Sequence, residues 1–507
     1  MTQEFELTAK TFQGLEEVLA KELTELGANN VRIGRRMVSF TGDKMMMYKA
    51  NFCLRTAIRI LKPIKTFKAD DPDKVYEEIK KINWSEYMTC DQTFAVDAVI
   101  FSEDFKHSKF VAYRVKDAIA DYFREKDGKR PSVSVANPEI PINIHISEQE
   151  CTVSLDSSGQ SLHKRGYRKE TMEAPLNEVL AAGMILLTGW HGQCDFIDPM
   201  CGSGTLPIEA ALIARNIAPG VFRQDYAFEH WANFDKDMFE AIYNDDSRER
   251  EFEHRIFAYD NNPQAVLVAE DNIKSAGCMN DIILRVRPFQ QFTQPENKSI
   301  IVTNPPYGER ISSRDLLGLY QMIGERLKHE FAGNNAWILS YREECFDEIG
   351  LKPNDRISLY NGGLACEFRR YQIFDGKYND FKAGIGDKHF KTNRGFFKAN
   401  HLGRRLGEEE ERDERDDSRG RGFRRRDDRD ERRGGGFRRR DERDDRRERG
   451  FRRRDDRDDR RGGGFRRRDE RDDRRGGGFR RDNHEERSFG ERKRPEIKLR
   501  RPRIKKQ

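Results

Sequence analysis

Apolar and polar positions alternate in several different ways along the chain. Residues 5–9 follow the two-residue period of a half-buried strand, and Leu15, Val18, Leu19, Leu23 and Leu26 then recur at helical spacing. Gly27 is placed to end that helix, and residues 31–33 and 37–40 read as short strands around a turn at Gly34. Between 60 and 155 the mixture repeats. Val75, Ile79 and Ile82 predict a helix, residues 93–100 a strand, and Val111, Val115, Ile119 and Tyr122 one face of a longer helix. Ile142, Ile144 and Ile146 alternate with polar residues, as do Val153 and Leu155. The pattern is that of a second α+β unit rather than a simple βαβ series.

From 160 to 380 the order becomes regular. Strands are predicted at 194–198, 256–260, 300–303 and 336–340, with helices at 206–216, about 265–276 and 315 to about 331. Strands alternating with helices imply a parallel, doubly wound sheet. Beyond about 385 the apolar period vanishes. Phe423, Phe437, Phe451, Phe465 and Phe479 stand 14 residues apart, each after Gly and before two arginines, with mixed Arg/Asp/Glu blocks between them. Such a segment cannot bury enough apolar surface to fold alone, so a disordered tail is expected over 383–507.

Composition sharpens this division. Charged residues make up 36% of the 507, against a usual share of about 25%. Residues 401–507 hold 43 basic and 30 acidic residues, leaving 52 and 59 in residues 1–400. An acidic body therefore carries a basic tail. No apolar run approaches the roughly 18–20 residues of a membrane helix, and the N-terminus lacks the basic-then-apolar order of a signal peptide. The eight cysteines are scattered without Cys-x-x-Cys spacing, so neither a metal site nor a disulfide framework is expected, and a cytoplasmic setting is.

Three motifs fall at the ends of predicted strands. The run Asp198, Pro199, Met200, Cys201, Gly202, Ser203, Gly204 lies between a strand and a helix, where glycines let the backbone turn tightly and approach a ligand. An ordinary tight strand–helix turn has the same spelling. Asp260 ends the next strand, where a carboxylate can accept from ribose hydroxyls; the alternative is a helix N-cap ahead of Pro263. Asp260 follows Asp198 by 62 residues, with a charged and aromatic insertion at 217–250, whereas a dinucleotide site expects its acid ~20 residues on. Asn304, Pro305, Pro306 and Tyr307 follow the strand at 300–303. The Asn304 carboxamide oxygen and the Pro305 carbonyl can both accept hydrogen bonds from one exocyclic amine, and Tyr307 offers a face for stacking a base. A proline-rich turn is the bland alternative for that tetrapeptide, but its place after the glycine loop and the acid favours function.

Taken together, the loop at 198–204 and the run Asn304, Pro305, Pro306, Tyr307, Gly308, Glu309, Arg310 resemble the RlmL-type 23S rRNA guanine-N2 methyltransferases. The resemblance spans residues 1–380. It includes stretches at 107–119, 130–133, 155–168 and 174–178 that look like signatures of a THUMP domain, a linker and the helix before the cofactor loop. It implies a ferredoxin-like segment over 1–43, a THUMP domain over 44–155 and a Rossmann-like methyltransferase domain over 156–382. It further implies S-adenosylmethionine as cofactor, held by Asp198, Gly202, Gly204 and Asp260, with catalysis at Asn304, Pro305, Pro306 and Tyr307. Where the family has an acid near the adenine, this chain reads Arg285, Val286, Arg287, Pro288, Phe289, which puts Phe289 against the adenine instead. The charged tail stands where some members carry a second methyltransferase domain, so that second activity is not expected.

The implied partner is RNA, 23S rRNA or a large-subunit precursor, with no membrane. Lys109, Arg114 and Lys116 on the THUMP-like helix are candidate phosphate contacts, although a solvated helix face looks the same in sequence. Lys164, Arg165 and Arg168, beside His163, form a denser basic patch in the linker. The tail adds Arg and Phe for nonspecific RNA contact, or serves only as a solubilising extension. The amine-binding tetrapeptide suits guanine N2, adenine N6 and cytosine N4 alike. A tRNA guanine-N2 methyltransferase, a DNA adenine-N6 methyltransferase and a noncatalytic RNA-binding assembly factor therefore remain alternatives.

Overall fold

The alternating apolar residues of the first 156 positions form one sheet, not two. In the computed structural model, which describes residues 3–172, 175–308 and 312–374, they fold in the order β1 (Phe5–Lys10), α1 (Glu16–Leu26), β2 (Asn29–Gly34), β3 (Met37–Gly42), α2 (Lys44–Cys53), β4 (Arg59–Lys68), α3 (Pro72–Lys80), β5 (Phe94–Phe101), α4 (Ser108–Asp127), β6 (Ile140–Ser147) and β7 (Glu150–Asp156). The strand order is β2-β3-β1-β4-β7-β6-β5. All neighbours run antiparallel except β5 and β6. β4 pairs β1 through Arg59–Leu61 and β7 along Leu61–Lys68, with a register shift between Pro63 and Lys65. One strand thus belongs to both N-terminal units, and the break expected between residues 43 and 44 has no counterpart in the sheet. Gly27 ends α1 as predicted, at φ 94°, with its N–H returned to Leu23 and Thr24 carbonyls.

The second half follows as α5 (Glu178–Leu187), β8 (Asp195–Asp198), α6 (Thr205–Ala214), α7 (Lys236–Tyr243), β9 (Ile256–Asp260), α8 (Pro263–Ser275), β10 (Ile282–Val286), β11 (Ser299–Thr303), α9 (Ser313–Glu330), β12 (Asn335–Ser340), α10 (Glu343–Glu348), β13 (Asp355–Asn361) and β14 (Leu364–Gln372). Its sheet has the order β10-β9-β8-β11-β12-β14-β13. The first five are parallel, as expected; β14 and β13 add an antiparallel pair that the strand–helix alternation did not predict. Ile197, Tyr259, Ile301 and Ile338 pack under α9 and α10, while the alternating Phe196, Ala258 and Val302 are equally buried, so both faces of the sheet are covered.

The insertion at 217–250 fastens the two halves together. Phe228, Trp231, Phe239, Ile242 and Tyr243 join the apolar core of the N-terminal sheet. Phe228 stacks on Tyr48 of α2 with centroids 4.4 Å apart, and Tyr48 Oη accepts from the Asp235 N–H at 3.1 Å. Among the described residues, no helix is long and apolar enough to cross a membrane. The expected tail at 383–507 lies outside the described residues.

Candidate active site

β8 lies between β9 and β11, and the three motifs occupy the carboxyl ends of these neighbouring parallel strands, where the strand order reverses. β8 ends at Asp198, β9 at Asp260 and β11 at Thr303, immediately before Asn304. The glycine loop is tied to β9. The Cys201 N–H donates to the Tyr259 carbonyl at 2.9 Å, and the Gly202 N–H to Asp260 Oδ2 at 2.9 Å. Asp260 Oδ1 accepts from the Asn262 N–H at 2.9 Å. The N-cap of α8 is Asn262, which accepts from the Gln264 N–H, so Asp260 serves the loop and not the helix end. Gly202 and Gly204 adopt φ of 52° and 83°. A Cβ at Gly204 would meet Ala269 of α8 at 3.3 Å, whereas one at Gly202 would point into open space.

The donor set tells which cofactor this cradle suits. Two acidic side chains sit at the loop, the buried Asp198 and the half-buried Asp260. Acidic side chains at the loop disfavour a pyrophosphate and suit a cationic ligand, which fits S-adenosylmethionine. Asp198 is fully buried. Burial first, opposed by hydrogen bonds from Thr303 Oγ1 (2.9 Å) and the Met200 N–H (3.3 Å), lifts its pKa from 3.8 to about 7. The folded protein therefore binds a proton here that the unfolded chain releases between those values. This contribution to stability is full below pH 3.8 and is lost as pH rises to about 7. Asp198→Asn keeps the accepting oxygen and removes the titration. Melting curves at pH 5 and pH 8 are expected to show a smaller fall in the variant than in the wild type; equal falls would mean that Asp198 does not titrate in that window.

At the end of β11, Asn304 is half-buried, Pro305 buried, Pro306 exposed and Tyr307 half-buried. The Tyr307 hydroxyl donates to Asn304 Oδ1, and Asn361 Nδ2 donates to the Tyr307 hydroxyl at 3.4 Å. The Tyr307 ring meets Tyr341 edge-on, centroids 5.2 Å apart and planes at 89°. Burial, with Cys366 beside it, pushes the phenol pKa up and keeps it a neutral donor. The Pro305 carbonyl accepts no hydrogen bond among the described residues. Sequence reading missed Thr303, Tyr341 and Asn361: Thr303 ends β11 beside Asn304 but meets its partner, Asp198, only across to β8, and Tyr341 and Asn361 reach the site from the ends of β12 and β13.

Other candidates are placed differently. Phe289 is 4% exposed and packs against Phe331 at 5.6 Å in the core beneath α9, so its ring is committed there rather than presented to an adenine. Arg165 is 2% exposed; Nε faces Glu209 at 3.4 Å, while Nη1 and Nη2 donate to the Leu162 and Arg55 carbonyls. Its guanidinium is spent on these interior acceptors and is not a free phosphate contact. Arg168 Nε donates to Glu178 at 2.8 Å, Nη1 to Ser203 Oγ at 3.0 Å and Nη2 to Thr205 Oγ1 at 2.9 Å, bracing the glycine loop. Asn272 completes this brace, donating to the Ser203 carbonyl at 3.0 Å and accepting from the Lys169 N–H at 2.8 Å. On α4, Arg114 pairs with Asp73 at 2.6 Å and lies over Tyr76; Lys116 pairs with Asp117 at 2.9 Å; Lys109 is exposed. The same helix exposes Phe110 and Tyr113, which the sequence had not singled out.

Comparison with known proteins decides the family. Residues 6–61 match the RlmL ferredoxin-like domain, 69–156 the THUMP domain and 165–370 the RMKL-like methyltransferase domain. A presumptive RNA methyltransferase of Synechocystis sp. is 36% identical over 369 residues, covering 72% of this chain and 96% of that protein. The chain belongs to the THUMP-containing RMKL-like methyltransferase family. Within this family, the ribosomal RNA large subunit methyltransferase K/L of Syntrophotalea carbinolica is 38% identical over 382 residues, 72% of this chain and 53% of the relative. The chain thus spans about half the length of such K/L relatives. A solved methyltransferase-like protein complexed with S-adenosylhomocysteine is 29% identical, with a TM-score of 0.67, 74% of this chain and 100% of that chain being covered.

Proposed function

We propose that this protein transfers a methyl group from S-adenosylmethionine to the exocyclic N2 amine of a guanine in large-subunit ribosomal RNA. The observation that carries the reading is the meeting of the Gly202–Asp260 cradle with Asn304 at the ends of β8, β9 and β11. The K/L relatives, ribosomal RNA large subunit methyltransferases, and the matched THUMP domain support an RNA substrate, specifically rRNA.

Asp260 is placed to hold ribose hydroxyls, and Gly202 leaves room for close backbone approach. Bound there, S-adenosylmethionine supplies an electrophilic methyl group on a sulfonium. The guanine amine is a poor nucleophile because its lone pair is delocalised into the ring. Asn304 Oδ1 and the Pro305 carbonyl accept hydrogen bonds from its two N–H groups and favour a pyramidal nitrogen. Tyr307 and Asn361 fix which way the Asn304 oxygen faces. Positioning and electrostatics carry most of the rate. The motif includes no strong base, and the surplus proton leaves to water. The target base leaves its stack to reach the site, a cost the Tyr307 and Tyr341 rings offset by contact.

The test is methylation by the purified chain, with labelled S-adenosylmethionine, of unmodified 23S rRNA, tRNA and DNA transcribed or synthesised in vitro, followed by nucleoside mass spectrometry. N2-methylguanosine in 23S rRNA is the expected product. The same nucleoside in tRNA alone would keep the chemistry and replace the substrate. N6-methyladenine in DNA would overturn the reading.

A further inference from the structure

The linker between the two halves is built around arginines that leave one side of it cationic and open. Arg223 is 7% exposed. Its Nη1 donates to the Ser161 and Lys164 carbonyls at 3.1 and 3.0 Å, and its Nη2 to the Ser158 and Gln160 carbonyls at 3.2 and 2.9 Å. One guanidinium thus gathers four carbonyls of a single loop and fixes its course. The Nε of Arg223 is buried with no acceptor.

Beside this loop lies a cavity of about 500 Å³. Four cations line it, Lys164, Arg165, Arg168 and Arg223, against two carboxylates, Glu178 and Asp225. Glu178 is held by Arg168 at 2.8 Å, and Arg165 is offset by Glu209. The Lys164 ammonium is exposed and has no acceptor among the described residues. His163 lines the same cavity and hydrogen-bonds Ser161 Oγ at 2.7 Å. Burial, followed by the positive charges of Lys164, Arg165, Arg168 and Arg223, lowers its pKa to about 4, so the ring is neutral at pH 7 and adds no charge of its own.

We infer that this cavity is a subsite for a backbone phosphate of the RNA, with Lys164 as its free cation and the Arg223-bound loop as its scaffold. The inference rests on the RNA reading given above and names where one phosphate sits. A phosphate oxygen suits the unpaired Lys164 ammonium, which stands on a loop whose course Arg223 fixes. The position also has a consequence for the enzyme. Arg168 lines the cavity and at the same time braces Ser203 and Thr205 of the glycine loop, so one guanidinium touches both the phosphate subsite and the cofactor cradle.

Lys164→Ala, which removes an exposed side chain, tests the subsite without threatening the fold. The probe is unmodified 23S rRNA transcribed in vitro, titrated with the full chain at several salt concentrations. The variant is expected to bind about fivefold more weakly at 100 mM salt, with a slope of log K against log salt shallower by roughly 0.7–0.9. Lys164→Arg should restore both. Lys352→Ala, which deletes another exposed cation far along the sequence, should leave both near wild type. An unchanged slope in Lys164→Ala, or an equal loss in Lys352→Ala, would overturn the subsite. Product analysis on the same samples separates the two ideas: no methylated nucleoside from the wild type, with the Lys164 effect intact, would sink the enzyme reading and leave the phosphate subsite standing.

Discussion

Asn304→Ala is expected to lower kcat by at least about 100-fold while S-adenosylhomocysteine affinity stays near wild type. The amide stands at the carboxyl end of β11, half-buried, and its recorded hydrogen bond runs to Tyr307 rather than to the glycine loop or Asp260. Under the proposed mechanism, removing it deprives the target amine of one of two acceptors without disturbing the Gly202–Asp260 bond that shapes the cradle. Truncating a half-exposed side chain also leaves the melting temperature close to wild type. Tyr307→Phe tests the step behind this one. It keeps the ring against Tyr341 and removes the hydroxyl that orients Asn304, so kcat should fall about 10-fold, a smaller loss than that of Asn304→Ala. Single-turnover methylation of rRNA with isothermal titration of S-adenosylhomocysteine measures both quantities. Unchanged turnover in Asn304→Ala would remove the amide from the chemistry. A matching loss of cofactor affinity would make it part of the cradle instead.

The parts of this site that sequence revealed are those set by local order. A buried parallel strand followed by a glycine turn, an acid or an asparagine reads in one direction along the chain, and β8, β9 and β11 appear where that order predicts them. Elements shaped by distant partners did not show. β4, spelled Arg59, Ile60, Leu61, Lys62, Pro63, Ile64, Lys65, is strand only because β1 and β7 flank it and a register shift absorbs the proline. α5 is buried almost all round, so it has no polar face from which a helical period could be read, and only the family resemblance at 174–178 pointed to it. The aromatic residues of 217–250 looked like an insertion because the core they complete belongs to residues 5–156. The arginines of the linker were misplaced for the same reason. Residue type alone argues for the surface, and the acceptors that bury Arg165 and engage Arg168, namely Glu209, Ser203 and Thr205, stand 35 to 44 positions away in sequence.

Arg165→Ala is accordingly expected to act on folding, with a loss of about 3–5 kcal/mol, the scale for breaking one partner out of a buried ion pair. Glu209 is 0% exposed; Oε1 accepts from Arg165 and, at 3.0 Å, from the Tyr167 hydroxyl, and Oε2 has no partner. Without the guanidinium the carboxylate is left in the interior with one neutral donor, and the Arg55 and Leu162 carbonyls lose theirs. Burial already raises the Glu209 pKa, with Arg165 the largest influence holding it down. In the variant the carboxyl therefore rises further and takes up a proton sooner as pH falls, so the stability gap between variant and wild type should be widest at high pH and narrow towards acid. The double variant Arg165→Met with Glu209→Leu removes both charges and should recover much of the loss, since an apolar pair of similar volume is often neutral in place of a buried ion pair. Thermal melts of the three proteins across pH 5–8 read all of this. A wild-type melting temperature in Arg165→Ala, together with weakened rRNA binding, would return this arginine to the RNA surface that its residue type first suggested. Lys164, one position earlier and exposed, should show the converse behaviour: little change in melting and a clear change in the salt dependence of binding. The pair of neighbours thus separates a cation that holds the linker's shape from one that the linker presents.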